Sequence, residues 1–205
     1  IMGINIGNHL VVNWKNEAIR SAEYAQVAME AELQSLKLQI DPHFVFNNLS
    51  VLSELILEDQ QLGYEYAENF SRIYRYLLIN AKKNVCTLKD ELRFLETYQF
   101  LIKQRFGDGI QFSIAVDPLY FSYQLPPLTL QLLVENALKH NKTSKRNPLE
   151  IRISTNELSE LIVENTLLPL EKIISSSGIG LKNIKRRYKL LAQPEPRLYQ
   201  NEERY

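Results

Sequence analysis

Apolar side chains recur at three- and four-residue steps through residues 15–83, which is the spacing of amphipathic helices. Residues 15–40 contain neither proline nor glycine and predict one long helix with coiled-coil character. A second stripe consists of Val45, Leu49, Leu52 and Ile56, and a third of Tyr66, Phe70, Ile73 and Leu77. The polar segment EDQQLG separates these last two stripes, so the pattern predicts helices over 43–57 and 64–83 that form an antiparallel hairpin.

A single hairpin buries little apolar surface, so these two predicted helices need a partner. Two hairpins from two copies of the chain would close a four-helix bundle around a shared core. We therefore expect a homodimer.

His43 stands at the start of the first hairpin helix, directly after Pro42. Proline has no N–H group and fits the first turn of a helix. At about 100° per residue, His43 falls on the side opposite the predicted apolar stripe. The histidine is thus predicted to face outward, either as an ordinary surface side chain or as a reactive group.

From residue 87 onward the hydrophobic period changes repeatedly between helix and strand. Thr87 precedes Asp90 by three residues, which predicts a helix N-cap, and the helix runs to Phe106. The remaining pattern predicts strands IQFSIAV, LEIRIST and ELIVEN, a helix after Pro126–Pro127, a last helix LKNIKRRYKLL and at most a short strand at 197–200. This order indicates an α+β layer, with helices on one face of a mixed or antiparallel sheet.

Four polar side chains lie on one side of the helix after Pro126–Pro127: Glu135, Asn136, Lys139 and His140. The opposite face is apolar, so the group marks either a binding site or a solvated surface. Gly178 and Gly180 precede the last helix, where free backbone N–H groups could face an anion.

Composition narrows the function classes. The chain has 205 residues with 24 Lys and Arg against 24 Asp and Glu, so there is no net charge to attract nucleic acid. We interpret the basic run KNIKRRYK either as a solvated helix face or as a group that assists in binding phosphates. The single Cys86 cannot form an internal disulfide, which favours a reducing compartment and a packing role. No stretch reaches the 18 or more apolar residues of a membrane span.

Four segments in order, LQIDPHFVFNNL, LKDELRFLETYQFLIKQRF, LPPLTLQLLVENALKH and SGIGLKNIKRRYKLL, resemble the LytS-type sensor histidine kinases. This family joins an internal histidine kinase domain to a GHKL, or Bergerat-fold, ATPase domain. The resemblance covers roughly residues 33–191. It implies a signalling helix at 1–32, a dimerisation and phosphotransfer hairpin at 33–86, and an ATP-binding α/β sandwich at 87–205 that lacks its last strand.

The same resemblance implies roles for individual residues. His43 is similar to the phosphoacceptor histidine, which Asp41, Asn47 or Glu135 could orient. Asn136 resembles the asparagine that holds Mg²⁺ between the phosphates of ATP, with Glu135 beside it as a polar or base-like catalytic partner. The remaining residues implied in nucleotide binding are Lys139, His140, Asn165, Gly178, Gly180, Leu181 and Asn183.

One segment departs from the family pattern. Where the family has an Asp-rich DxGxG motif that reads the adenine amino group, this chain has VENTLL, with Asn165 in place of the aspartate and no glycines. An asparagine can still accept a hydrogen bond but carries no charge. We expect weaker nucleotide binding as a result.

The resemblance implies ATP-dependent autophosphorylation of His43 and phosphotransfer to a response regulator of the LytTR type. It also implies the cytoplasmic portion of a bacterial inner-membrane protein, anchored through a segment before residue 1. Two alternatives stay open: a dimeric scaffold that has lost nucleotide chemistry, and a GHKL ATPase without phosphohistidine.

Overall fold

The computed structural model describes residues 14–15, 17, 19–20, 42–80, 83–170, 179–200 and 204–205. The chain divides into two compact units, residues 1–39 and 40–205. In the first unit the described residues are helical and exposed, including Trp14. The rest of the long helix predicted over 15–40 lies outside the described residues.

Two antiparallel helices, α1 (Pro42–Glu58) and α2 (Gln60–Asn80), form the predicted hairpin. Asp59 separates them and caps α2, because its Oδ1 accepts from the backbone N–H groups of Gln61 at 2.9 Å and Leu62 at 3.1 Å. Gly63 permits the close approach, since a Cβ there would lie 2.9 Å from Ile56 Cγ1. The turn is therefore shorter than predicted, and residues 60–63 are already helical.

The buried face of α1 overlaps the predicted stripe only in part, since Leu52 packs against the core and Val45 is half-buried. Asn48 and Leu55 are buried, and Phe44 and Val51 pack against the core, whereas Leu49 is 44% exposed and Ile56 is 48% exposed. Helix α1 carries apolar side chains around most of its circumference, so its sequence allows more than one buried face. On α2 the predicted stripe is confirmed, with Tyr66, Ile73 and Leu77 buried and Phe70 packed against them.

After the hairpin come β1 (Cys86–Thr87), α3 (Leu88–Phe106), β2 (Ile110–Ala115) and β3 (Gln124–Leu125), followed by α4 (Thr129–His140), β4 (Leu149–Thr155), β5 (Leu161–Asn165) and α5 (Ile179–Leu190). Short 3-10 turns at Gly107–Gly109 and Pro118–Tyr120 flank β2. The capping signal at Thr87 is confirmed, since its side chain accepts from the Asp90 N–H at 3.1 Å and the reciprocal bond is also present.

The sheet is mixed, which is one of the two arrangements that the sequence predicted. Its order is β2-β4-β5, with β2 and β4 parallel and β4 and β5 antiparallel; Ile110 lies opposite Leu149, and Ile151 opposite Asn165. Strands β1 and β3 form a separate antiparallel pair. Within residues 191–200 no strand forms, so the short strand predicted there is not observed; Arg204 instead makes an isolated bridge to Thr166.

One apolar core joins the hairpin to the α/β part. It contains Tyr66 and Ile73 from α2, Leu95 from α3, Leu130 from α4 and Ile153 from β4, each no more than 1% exposed. The α+β class is thereby confirmed, while the dimeric bundle and the GHKL sandwich remain expectations. Among the described helices, none is long and apolar enough to cross a membrane.

Candidate functional site

A cavity of about 470 Å³ lies beside β5. Leu133 and Asn136 of α4 form one wall, and residues 160–165 form another. Residues 194–200 with Arg204 and Tyr205 complete the lining. Ligand cavities in proteins are commonly about 300–1,000 Å³, so this space suits a small organic molecule.

Asn136 and Asn165, both predicted to bind nucleotide, line this cavity. Asn165 is buried, and its backbone exchanges two hydrogen bonds with Tyr205, at 2.8 and 3.0 Å. Its side-chain Nδ2 donates to the Thr166 carbonyl at 2.7 Å. The amide nitrogen is thus engaged by the backbone, and Oδ1 is the group that Asn165 can offer as an acceptor.

Carboxylates accompany both guanidinium groups in the cavity wall. Arg197 pairs with Glu160, and Arg204 lies 3.7 Å from Glu150 and 4.0 Å from Glu164. A polyanion in this cavity would therefore meet positive charges that already have acidic partners.

The predicted polar group on α4 is divided among different surroundings. Asn136 lines the cavity, but Glu135, Lys139 and His140 do not. Glu135 Oε1 accepts from Tyr98 Oη of α3 at 3.1 Å and from Gln131 Nε2 at 2.7 Å. Lys139 is exposed and His140 half-buried. Glu135 thus lies toward α3, while Asn136 lies toward the cavity.

The predicted phosphate-binding segment begins α5. Gly180 and Leu181 belong to its first turn, where backbone N–H groups have no acceptor within the helix. Asn183 is half-buried one turn further on. None of these three lines the cavity. Gly178 lies outside the described residues.

His43 is the second residue of α1, and its side chain, like Asp41, lies outside the described part of the chain. The next residue, Phe44, is held on two sides. Its ring lies 6.2 Å from Phe70 and 6.0 Å from Tyr98, measured between centroids. Its carbonyl accepts from Asn48 Nδ2 at 2.7 Å. The helical turn that carries His43 is therefore anchored to the core.

Asn48, five residues after His43, stabilises the hairpin. Its Oδ1 accepts from Tyr66 Oη at 2.7 Å, so both ends of its amide are bonded within the hairpin. Burial raises the pKa of Tyr66 to about 12, which keeps this hydroxyl protonated as a donor at neutral pH.

Tyr98 connects the start of α1 to α4, although no sequence pattern marked it as part of the site. Its ring contacts Phe44, and its hydroxyl donates to Glu135, the neighbour of Asn136. Burial is the first cause that holds the pKa of Tyr98 well above its usual value, and the Glu135 carboxylate adds to it. The turn of His43 and the helix of Asn136 thus contact the same residue of α3.

Asn141 was also missed, although it directly follows His140. It is buried; its Nδ2 donates to the Ala137 carbonyl at 2.8 Å, and its Oδ1 accepts from the Leu168 N–H at 2.7 Å. These bonds tie the segment after β5 to the end of α4. In the sequence, the only indication of this role is that Asn141, a polar residue, stands at the end of a predicted helix.

Comparison with known proteins identifies the family of this chain. The sequence model described as "Histidine kinase" matches residues 31–110, which include His43, Tyr66 and Tyr98. The sensor protein LytS of Staphylococcus saprophyticus is 31% identical over 173 residues, covering 77% of this chain and 29% of that protein. The chain belongs to the LytS-type sensor histidine kinases.

A second relative of this type is the sensor histidine kinase/phosphatase LytS of Staphylococcus aureus, 28% identical over 161 residues, which cover 78% of this chain and 26% of that protein. The region aligned with this LytS-type chain therefore makes up less than a third of the length of each relative.

The LytS-type family implies Mg-ATP, and the cavity fits part of it. An acceptor at Asn165 and apolar side chains at Leu133, Leu161 and Val163 suit a purine base. Within the described residues, no three His, Cys, Asp or Glu side chains are placed to hold a metal ion. Asn136 would supply one oxygen ligand, as in sites where Mg²⁺ is held mainly by phosphates and water.

Proposed function

We propose that this chain is the catalytic core of a two-component sensor histidine kinase, which transfers the γ-phosphoryl group of ATP to His43. An imidazole nitrogen of His43 attacks the γ-phosphorus. A P–N bond forms, the bond from this phosphorus to the bridging oxygen breaks, ADP leaves and the imidazole gives up a proton. An unperturbed histidine titrates near about 6.5, so much of it is neutral and nucleophilic at pH 7.

The contact of two regions on Tyr98 carries this proposal. Tyr98 touches Phe44, next to His43, and Glu135, next to Asn136. Because Tyr98 contacts both the turn that carries His43 and the helix that carries Asn136, it can hold the two in a fixed relative position. Phosphoryl transfer depends mainly on positioning and charge stabilisation, so such an arrangement is what the chemistry needs.

Within the nucleotide site, Asn165 accepts from the adenine amino group and Asn136 provides a ligand for Mg²⁺. Outside the cavity lining, Lys139, His140, Gly180, Leu181 and Asn183 are proposed to contact the phosphates, as is Gly178, which lies outside the described residues. Mg²⁺ held by Asn136 would supply positive charge against the phosphate oxygens. Glu135, bonded to Tyr98, acts here by orienting α4 rather than by taking the proton of His43.

The hairpin supports a homodimer. Phe46 and Leu57 of α1 are 68% and 88% exposed, and Leu78 and Ile79 of α2 are about half exposed. Apolar side chains of this size on one hairpin suit burial against a second copy. We propose that two hairpins form the four-helix bundle of the dimer.

The whole protein is proposed to be a membrane-anchored sensor whose phosphoryl group passes to an aspartate of a LytTR-type response regulator. The relatives named as sensors support this, and their greater length leaves room for a sensing part.

A nucleotide-degenerate scaffold is the second candidate. The observations that favour it are Asn165 in the adenine-reading position and the carboxylates beside Arg197 and Arg204. In that case the dimer would form normally and Mg-ATP would not bind.

Labelling with γ-³²P-ATP and Mg²⁺ tests the proposal. We expect the chain to gain acid-labile label, the His43→Gln variant to gain none, and the His9→Gln variant to behave as the parent. Label of equal amount in His43→Gln would contradict the assignment of the nucleophile. Absence of label in a folded dimer would favour the scaffold.

A further inference from the structure

Glu91 of α3 is a fully buried carboxylate, with 0% exposure, and it has several donors. The backbone N–H of Leu128 donates to Oε1 at 2.8 Å, and that of Leu130 donates to Oε2 at 3.1 Å. Tyr76 Oη donates to Oε1 at 3.0 Å, and the Cys86 thiol lies 3.7 Å from the same oxygen. A buried carboxylate is costly unless it is bonded in this way.

The two backbone donors belong to the start of α4. Its N-cap residue, Leu128, has no side-chain oxygen and adopts φ 67°, so the helix lacks a local cap. The first N–H groups of a helix need an acceptor from outside the helix. A negative charge at this end is also stabilised by the positive end of the helix dipole. Glu91 supplies this acceptor from a different helix; burial raises the pKa of its carboxyl group, and the two backbone N–H groups act against that rise.

The third donor belongs to the hairpin. Tyr76 of α2 stacks on Phe94 at 4.5 Å between ring centroids and directs its hydroxyl to Glu91. Burial and the Glu91 carboxylate hold the pKa of Tyr76 far above its usual value, so this hydroxyl stays a donor. One carboxylate thus bonds the hairpin and the helix of Asn136.

The last helix meets the same turn. Arg187 of α5 is buried, and its Nη1 donates to the Pro127 carbonyl at 2.7 Å. Thr129 Oγ1 donates to the Pro126 carbonyl at 2.6 Å. Residues 126–130 therefore join α3, α4 and α5 beside Glu91.

We propose that Glu91 is a positioning residue that couples the helical hairpin to the nucleotide helix, with Tyr76 as its contact on the hairpin. A change in the packing of α2 alters the Tyr76–Glu91 bond and thereby the start of α4, which carries Asn136 about two turns later. The inference rests on the proposed function for its consequence, although the coupling itself is a property of the protein without nucleotide.

Amide hydrogen exchange of the nucleotide-free chain tests the coupling. Tyr76→Phe keeps the ring stack on Phe94 and removes one donor. Hydrogen bonds to charged groups contribute enough that we expect about tenfold faster exchange of amides in residues 128–136. Strand β4 should exchange as in the parent, which shows that the fold is intact. Unchanged exchange over 128–136 would overturn the proposal.

A matched control is Tyr64→Phe on the same helix. Tyr64 is exposed, and its hydroxyl contacts Glu68 at 3.4 Å. This variant loses a hydroxyl near a carboxylate without touching Glu91, so exchange over 128–136 should not change. A response equal to that of Tyr76→Phe would show a general effect of α2 and would overturn the specific link.

Calorimetry with Mg-ATP tests the consequence. We expect Tyr76→Phe to weaken binding about threefold to tenfold and Glu91→Gln to weaken it at least as much, with no further loss in the double variant, because the two residues act through one bond. Multiplicative effects would contradict this. If the parent binds no Mg-ATP, the proposed function fails, and the exchange experiment still decides whether Glu91 couples the two regions.

Discussion

The helical hairpin and the cavity region use buried polar side chains in opposite ways. In the hairpin, the side-chain amide of Asn48 forms hydrogen bonds at both ends, to Phe44 and Tyr66, so both of its polar atoms serve to hold the hairpin together. In the cavity wall, Asn165 places its nitrogen on the backbone and keeps an oxygen as an acceptor. The difference indicates that one region holds a turn rigidly while the other offers groups to a ligand.

Their shared core should make the two regions unfold together. Leu95 of α3 lies within this core at 0% exposure. Leu95→Ala should lower the free energy of unfolding by about 2–5 kcal/mol, because it leaves a cavity in contact with both regions. Urea unfolding followed by far-UV circular dichroism and by tyrosine fluorescence should give one coincident transition.

Leu158→Ala is the control, because Leu158 is 78% exposed. Its effect should stay within about 0.5 kcal/mol. Two separate transitions in the Leu95 variant would contradict a common core.

Alkaline pH should weaken the hairpin through Tyr66. Its pKa is about 12 when folded, against 10.0 for an unperturbed tyrosine, so the folded state binds more protons between these values and stability falls as pH rises through this range. The loss from this group is about 2 kcal/mol by pH 12, because two pKa units amount to about 2.7 kcal/mol only once the folded tyrosine is fully ionised. Urea midpoints measured from pH 8 to 12 check this, and Tyr66→Phe should remove only its own part of the dependence, because the pKa values of Tyr76 and Tyr98 are also raised.

The helix crossing at Gly63 gives a smaller effect. An alanine there favours the helix by about 1 kcal/mol, but its Cβ would meet Ile56 Cγ1 at 2.9 Å and Ile56 Cα at 3.1 Å. Since backbone contacts cannot easily give way, Gly63→Ala should destabilise the chain by about 1–2 kcal/mol in thermal unfolding. A higher melting temperature would show that the two helices can separate without cost.

Local patterns predicted much of the fold. The capping box at Thr87, the α2 stripe and the mixed sheet depend on neighbours in sequence or on simple alternation, and each is observed. The predicted stripe on α1 was only partly right: Leu52 packs against the core, but Leu49 and Ile56 are exposed. Apolar residues surround that helix, and Tyr66 selects the buried face through Asn48.

The site was less predictable because long-range contacts divide it. Glu135 and Asn136 are adjacent in sequence, yet the first contacts Tyr98, 37 residues away, and the second lines the cavity. Glu91 gave no signal, since the N–H groups that it binds lie 37 and 39 residues further along the chain. Its role depends on the packing of α3 against α4.

Nucleotide binding by the cavity region is the central claim, and titration calorimetry with Mg-ATP tests it most directly. The account predicts a saturable heat for the parent chain, loss of that heat in Asn136→Ala, and no change in Asn147→Ala, which alters an exposed loop residue. Restoring the family aspartate with Asn165→Asp should tighten binding. No saturable heat in a folded parent chain, or equal binding by Asn136→Ala, would contradict the account.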